Sequence, residues 1–397
     1  MATPDADPDI RNLLELLPVP GEPGKERAVA ELVRGKLRAL GVPEDSMVFD
    51  TANRRSEIGG EVGNLVVRLD GRRGGARRLM STHLDTVPGA VGSRPRLALD
   101  RVVNDAPGRC LGGDARAGCA ALLAAARRLL ELRGEHAPWT LVFFVQEEIG
   151  LVGARWLDLE LLGLPRPALG FNFDGGPVRE VTNRVIGAER LHVEVTGVAA
   201  HTMYTPRGIS AAEVLCRAAA ECMAAGWHGV VEKPEGKGLA NLGVLRGGTG
   251  SNVVMPGLYA LLEARSFDRA FRGRILEAWR AALGAAAERA SAERPDAAGR
   301  AAVSFRPGPV YDPCDLPPGH PAVEAARAAI RSLGVEPVLV DDWGGQDSAW
   351  TTAHGIPSVG LGFGGCLAHS PEEYVDVPEF RLGCRLAAAL AGSPADG

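Results

Sequence analysis

Apolar and polar positions change period several times along the chain, and each change marks an element. Residues 8–17 and 25–41 read as two helices broken by the PVPGEPG turn. In the second, Val29, Leu32, Val33, Leu37 and Leu40 recur at helical spacing. Strands follow at 63–69 and 78–82. A helix starts after the GGDARAG loop and runs through an alanine-rich stretch to about residue 132. LVFFV at 141–145 is a short continuous apolar run, as a strand buried on both faces requires, and ALGFNF at 168–173 reads as another strand. This alternation predicts an α/β fold, a mostly parallel sheet with helices on both faces.

The pattern then changes. LHVEVTG at 191–197 alternates like a half-buried strand, and a helix covers 210–225. Strands at 239–246 and 258–266, a helix at 268–292 and a strand at 302–305 complete a β-α-β-β-α-β order, that of a ferredoxin-like α+β unit. Its limits, 187–306, interrupt a larger domain made of 1–186 and 307–397. That domain resumes with a helix at 320–333, a strand at 337–340, a helix at 347–354 and a strand at 358–362.

At 397 residues the chain is long for one core, consistent with that division. A net charge of -5 argues against nucleic acid, which usually demands a basic face. No apolar run is long enough for a membrane span, and the N-terminus lacks the basic start and apolar run of a secretion signal. Seven scattered cysteines, odd in number and without a CxxC pair, suit a reducing cytoplasm.

Five motifs then carry chemistry: STHLDTVP (81–88), GGDARAG (112–118), FFVQEEIG (143–150), FNFDGG (171–176) and CLAHSPEE (366–373), each expected to close a strand. They offer His83, Asp114, Glu148, Asp174 and His369 as ligands of two metals, with Glu147 beside them as a proton carrier. A core has no reason to collect so many carboxylates, because an unpaired buried charge is costly. In an open parallel sheet, the carboxyl ends of strands share one crevice. The period of two in His83-Leu84-Asp85 aims both polar side chains the same way, so Asp85 is expected to accept the second imidazole N–H. Taken singly, the triplet reads equally as a buried His–Asp pair, and Asp114 as a helix N-cap. GGDARAG lacks the GK[ST] of a phosphate loop. The donor set fits zinc best, with cobalt or manganese compatible.

Together these motifs resemble the co-catalytic zinc metallopeptidases that include peptidase T, carboxypeptidase G, dipeptidases and the acetylornithine deacetylase group. The likeness runs from LLPVPGEPGKE to AHSPEEYVDV. It implies His83 and Asp174 on one metal, Glu148 and His369 on the other, Asp114 bridging, Asp85 orienting His83, and Glu147 as base. In the inserted domain, a lid by this resemblance, VAAHTMYTPRGIS would supply His201 to the oxyanion. GGTGSNVVMPG and LLEARSF would supply Asn252 and Arg265 to the substrate. The resemblance also implies a homodimer through the lid and a cis Asp114–Ala115 bond, although relatives often carry Asp, Asn or Gly where Ala115 stands. AHTMYTP lacks the small residue that commonly follows the lid His. Placement of the insertion between Asp174 and His369, and Asp174 in place of the Glu of deacylases, favour the peptidase T type. The expected activity is release of an N-terminal residue from a short peptide or dipeptide. The alternative is an N-acyl-amino acid deacylase or desuccinylase, and a non-catalytic peptide-binding relative is disfavoured because Glu147 and all five ligand positions are intact.

Overall fold

The computed structural model describes residues 7–392. It forms two compact units, one of residues up to Val185 and from Cys314 onward, the other Ile186–Pro313.

The first unit is built on a nine-stranded sheet. Its centre is parallel: Trp139–Phe144, Arg78–His83, Leu169–Phe173 and Ser358–Leu361 lie side by side. Antiparallel pairs close both flanks, Leu65–Leu69 and Met47–Phe49 on one side, Glu180–Val185 and Cys314–Asp315 on the other. Val338–Asp342 adds a parallel partner to Glu180–Val185. All six residues of Trp139–Phe144 are buried, which explains the unbroken apolar run in that segment.

One face of this sheet carries Val66, Leu79, Val142 and Phe144, covered by Ala154, Leu157, Leu162 and Ile356. Against the other lies the helix Gly113–Glu131, whose alanines let it sink into the core. Its approach is extreme at Gly118, where a Cβ would stand 2.2 Å from Thr82 Oγ1 and 2.7 Å from the Phe173 carbonyl oxygen. Only glycine fits there, and the first turn of the helix, bearing Asp114, is thereby held at the ends of the two strands that carry His83 and Asp174.

A small antiparallel sheet, absent from the predicted elements, joins Gly365–Cys366, Tyr374–Asp376, Arg101–Asn104 and Pro95–Ala98. It links the segment leading into GGDARAG with the one carrying CLAHSPEE.

In the second unit five antiparallel strands run in the order Gly229–Lys233, Gly236–Gly247, Gly257–Ser266, Gly187–Thr196, Ala302–Tyr311, with helices Ala211–Ala224 and Arg269–Ala292. Their packing buries Val193, Val214, Leu262, Ile275 and Trp279. This is the ferredoxin-like order with one more edge strand, Gly229–Lys233. Its last strand continues through Tyr311, past the limit at 306 read from the sequence, because Val310 and Tyr311 resume pairing with Glu189 and Ala188 after an irregularity at Pro307.

Candidate metal centre

Three of the five motifs close strands of the central sheet, as expected: His83 ends one, and Glu147 and Asp174 follow closely on two others. The remaining two do not. Asp114 sits in the first turn of a helix and His369 in the loop between two strands of the small sheet. Strand-end logic fails for them because the small sheet supplies their scaffold. Glu373 accepts the N–H groups of Gly112 (2.8 Å) and Asp114 (3.1 Å), so the His369 loop grips the GGDARAG loop directly. His369 itself takes φ 65, an uncommon conformation for a residue with a Cβ, though one histidine tolerates better than most. The Asp114–Ala115 bond is cis.

The side chains converge. His83 Nε2 lies 3.1 Å from Asp114 Oδ1 and 3.3 Å from Asp174 Oδ1. His369 Nε2 lies 2.9 Å from Glu148 Oε1 and 3.5 Å from Asp114 Oδ2. Asp114 thus shows one oxygen to each imidazole, at the junction of two donor groups: His83, Asp114 and Asp174, and Asp114, Glu148 and His369. The ligand atoms within each group lie within 4.8 Å of one another, as a metal ion requires. A further grouping of His83, Glu147 and Glu148 meets the same limit, placing Glu147 beside the first. Asn172 donates to Asp174 (3.3 Å) and in turn accepts from Ser81 (2.8 Å), which fixes the carboxylate.

Asp85 is placed differently from expectation. His83 Nδ1 lies 3.0 Å from the Asp85 main-chain carbonyl oxygen, while the nearer Asp85 carboxylate oxygen is 3.5 Å away. The carboxylate instead accepts the N–H groups of Glu147 (3.0 Å) and Glu148 (3.1 Å). Glu26, also fully buried, accepts the N–H of Gln146 (3.1 Å). Gln146 takes φ 55, and the turn therefore offers three successive N–H groups to two buried carboxylates. That anchoring lets the neighbouring side chains Glu147 and Glu148 point to different places. Glu26 and Glu373 escaped the sequence reading. Both lie within recognised motifs, PGKE and AHSPEE, but nothing in an isolated Glu says that it will turn inward.

The electrostatics follow from crowding. Burial pushes the Glu147 carboxyl well above its usual range, with Asp174, Asp347 and Glu148 adding to the shift and His83 opposing it. Burial likewise raises Glu148, and lifts Asp174 to about 7. His83 is pulled down by burial but more strongly held up by Asp114, Asp174 and Asp85, so its imidazolium is favoured. The hydrogen bond to Glu148 raises His369 to about 9. These are donors with a common preference for positive charge between them. Carboxylate and imidazole donors in this number fit zinc, cobalt or manganese.

The other three candidate residues belong to the second unit. His201 and Asn252 are neighbours there, since Thr202 N–H donates to the Asn252 carbonyl (3.1 Å) and His201 pairs with Val253. Both are exposed, and His201 Nδ1 accepts from Met203 N–H (3.1 Å). Arg265 Nε donates to Glu263 (2.7 Å) on its own strand. His192 Nδ1 lies 2.8 Å from the Tyr259 hydroxyl, and His354 Nε2 donates to the Ala154 carbonyl (3.0 Å).

A parallel-centred sheet with imidazole and carboxylate donors gathered beside its strand ends defines a metal-dependent hydrolase of the α/β class. The family model for peptidase family M20/M25/M40 matches residues 79–393, and the chain belongs to that family, a hydrolase of peptide bonds. The Bacillus subtilis protein YqjE is 28% identical over 372 residues, 93% of this chain and 94% of its own. The crystal structure of aminopeptidase PepT from Bacillus cereus superposes with a TM-score of 0.79 at 27% identity, covering 96% of this chain and 97% of that one. A Staphylococcus aureus tripeptidase shares the fold, with a TM-score of 0.81 at 24% identity and 96% of each chain covered.

Proposed function

We propose that the chain is a two-metal exopeptidase of the peptidase T type, releasing the N-terminal residue of short peptides. The observation that carries this reading is the position of Asp114, whose two oxygens face His83 and His369 respectively, each imidazole having a second carboxylate beside it. The likeness to the Bacillus cereus aminopeptidase supports the choice of substrate. His83, Asp114 and Asp174 would hold one zinc ion, and Asp114, Glu148 and His369 the other. Bound there, the ions supply Lewis acidity, lowering the pKa of water from 15.7 to about 7 and polarising the scissile carbonyl.

The rest is done by the chain's own residues. Glu147, half-buried beside the donor groups, takes a proton from the attacking water and returns it to the departing amine. The Asp85 carboxylate holds the Glu147 and Glu148 backbone in register for those separate tasks. His201 is assigned to the oxyanion, Asn252 and Arg265 to the substrate's polar groups, and the second unit to a lid that also dimerises. Its edge strand Gly229–Lys233, with Val230 exposed, offers a surface for a second copy. All seven cysteines are unpaired, in keeping with a cytoplasmic enzyme, and among the described residues no helix is long and apolar enough to cross a membrane.

The test is a hydrolysis panel with zinc- or cobalt-loaded protein, comparing di- and tripeptides having free or acetylated N-termini with simple N-acyl-amino acids. Cleavage confined to free N-termini is expected. Cleavage of acyl-amino acids alone would replace the aminopeptidase assignment by the deacylase one.

A further inference from the structure

A carboxylate outside the motif set shares the centre. Asp347 immediately precedes the short helix Ser348–Ala353, the position where Asp ordinarily folds back to accept a helix N–H. Here it makes no such bond. It is fully buried, and neither of its carboxylate oxygens has a hydrogen-bond partner. The charged groups near enough to act on it are His83, Asp174, Asp85 and Glu148, and it acts in turn on Glu147. Among the described residues, Asp347 is the one carboxylate with both oxygens fully buried and unpartnered.

An unpaired buried carboxylate is among the costliest groups a core can hold, and a helix cap lay within its reach. Its burial also keeps it from touching substrate. Any effect must therefore pass through its neighbours. We propose that Asp347 is a positioning residue of the metal centre, a buried carboxylate with free acceptor oxygens beside the cluster that raises the affinity for the divalent cations. This rests on the two-cation reading. If Asp85, Asp114, Glu148 and Asp174 balance two dications, Asp347 is charge beyond that balance, and its cost without cations is offset when they bind. Outer-shell groups of this kind typically carry about 10–100-fold in metal affinity.

The experiment compares the full chain with Asp347→Asn, an almost equal-volume change that removes the charge. Chelator-treated protein is titrated with cobalt(II), followed by visible absorption, and thermal unfolding is recorded with and without chelator. The expected result has opposite signs: cobalt affinity falls by about tenfold or more, while the chelated variant unfolds no lower than the wild type. A merely structural Asp347 would lower the chelated unfolding temperature and leave affinity unchanged, and that pattern overturns the proposal. So does equal affinity with equal stability. If the Asn variant does not fold, Asp347→Ser is measured in its place; failure of both to fold in chelator also overturns it, since the carboxylate would then be needed without cations. A wild type that takes up no cobalt defeats the two-cation reading and this role with it. One that binds two cobalt ions but cleaves no peptide defeats only the substrate assignment.

Discussion

Replacing Asp85 by Ala should release the turn that presents Glu147 and Glu148. In the structure, its two oxygens receive the N–H groups of those residues at 3.0 and 3.1 Å, at a fully buried position. Alanine leaves both donors inside the protein with nothing to accept them. Each orphaned donor costs about 1–3 kcal/mol, so the local loss is about 2–6 kcal/mol. Relief of the carboxylate's own desolvation trims the upper end. Against a typical stability of about 5–15 kcal/mol, this is enough to loosen the segment while the unit stays folded. The assay is amide hydrogen exchange of the 145–149 segment in the native protein. A loss of about 2 kcal/mol corresponds to more than tenfold faster exchange. Peptide hydrolysis should fall with it, because the base and one ligand lose their common anchor. Unchanged protection of these two amides would refute the argument, whatever happened to activity.

Glu147→Gln should lower kcat by about 10²–10⁴ while metal content stays unchanged, since it removes a proton carrier and no ligand; a parallel loss of metal, measured by elemental analysis, would contradict that division of labour. Chelation should abolish hydrolysis, and zinc or cobalt should restore it, as followed on a tripeptide. In chelated protein, the His369–Glu148 pair should stabilise the fold below the ordinary histidine pKa of about 6.5. Because His369 is raised to about 9, that contribution disappears as pH climbs through this value. The difference in unfolding temperature between wild type and His369→Gln should therefore shrink toward high pH, and a widening gap would reverse the assignment. Gly118→Ala should destabilise by about 1–3 kcal/mol or more, because the added methyl meets Thr82 Oγ1 at 2.2 Å, and a melting curve reads the loss.

The main sheet was legible because its central strands announce themselves as continuous apolar runs, and the acids that follow could hardly belong to such runs for any other reason. His83, Glu147, Glu148 and Asp174 needed no more than that. Asp114 and His369 were offered by the same strand-closing reading although neither closes a strand, since the small sheet that seats them is made of two- to four-residue pieces with no period to read. The edge strand Gly229–Lys233 was missed for a similar reason: one side of it is exposed, and only Val231 is buried. Asp347 hid behind its most ordinary meaning, an Asp before a helix. The exchange of roles at Asp85, main-chain oxygen toward His83 and carboxylate toward the next turn, depends on the path of the backbone beyond the strand, which alternation cannot specify.

The first unit is assembled from two lengths of chain separated by the whole of the second. One consequence concerns biosynthesis. Four of the six convergent side chains precede Asp174 in the chain, yet His369 follows the whole of the second unit. Until His369 is made, one of the two donor groups has no imidazole, so on the proposed two-metal reading the nascent chain cannot complete its site. Any chain that terminates early carries the acids without the means to employ them.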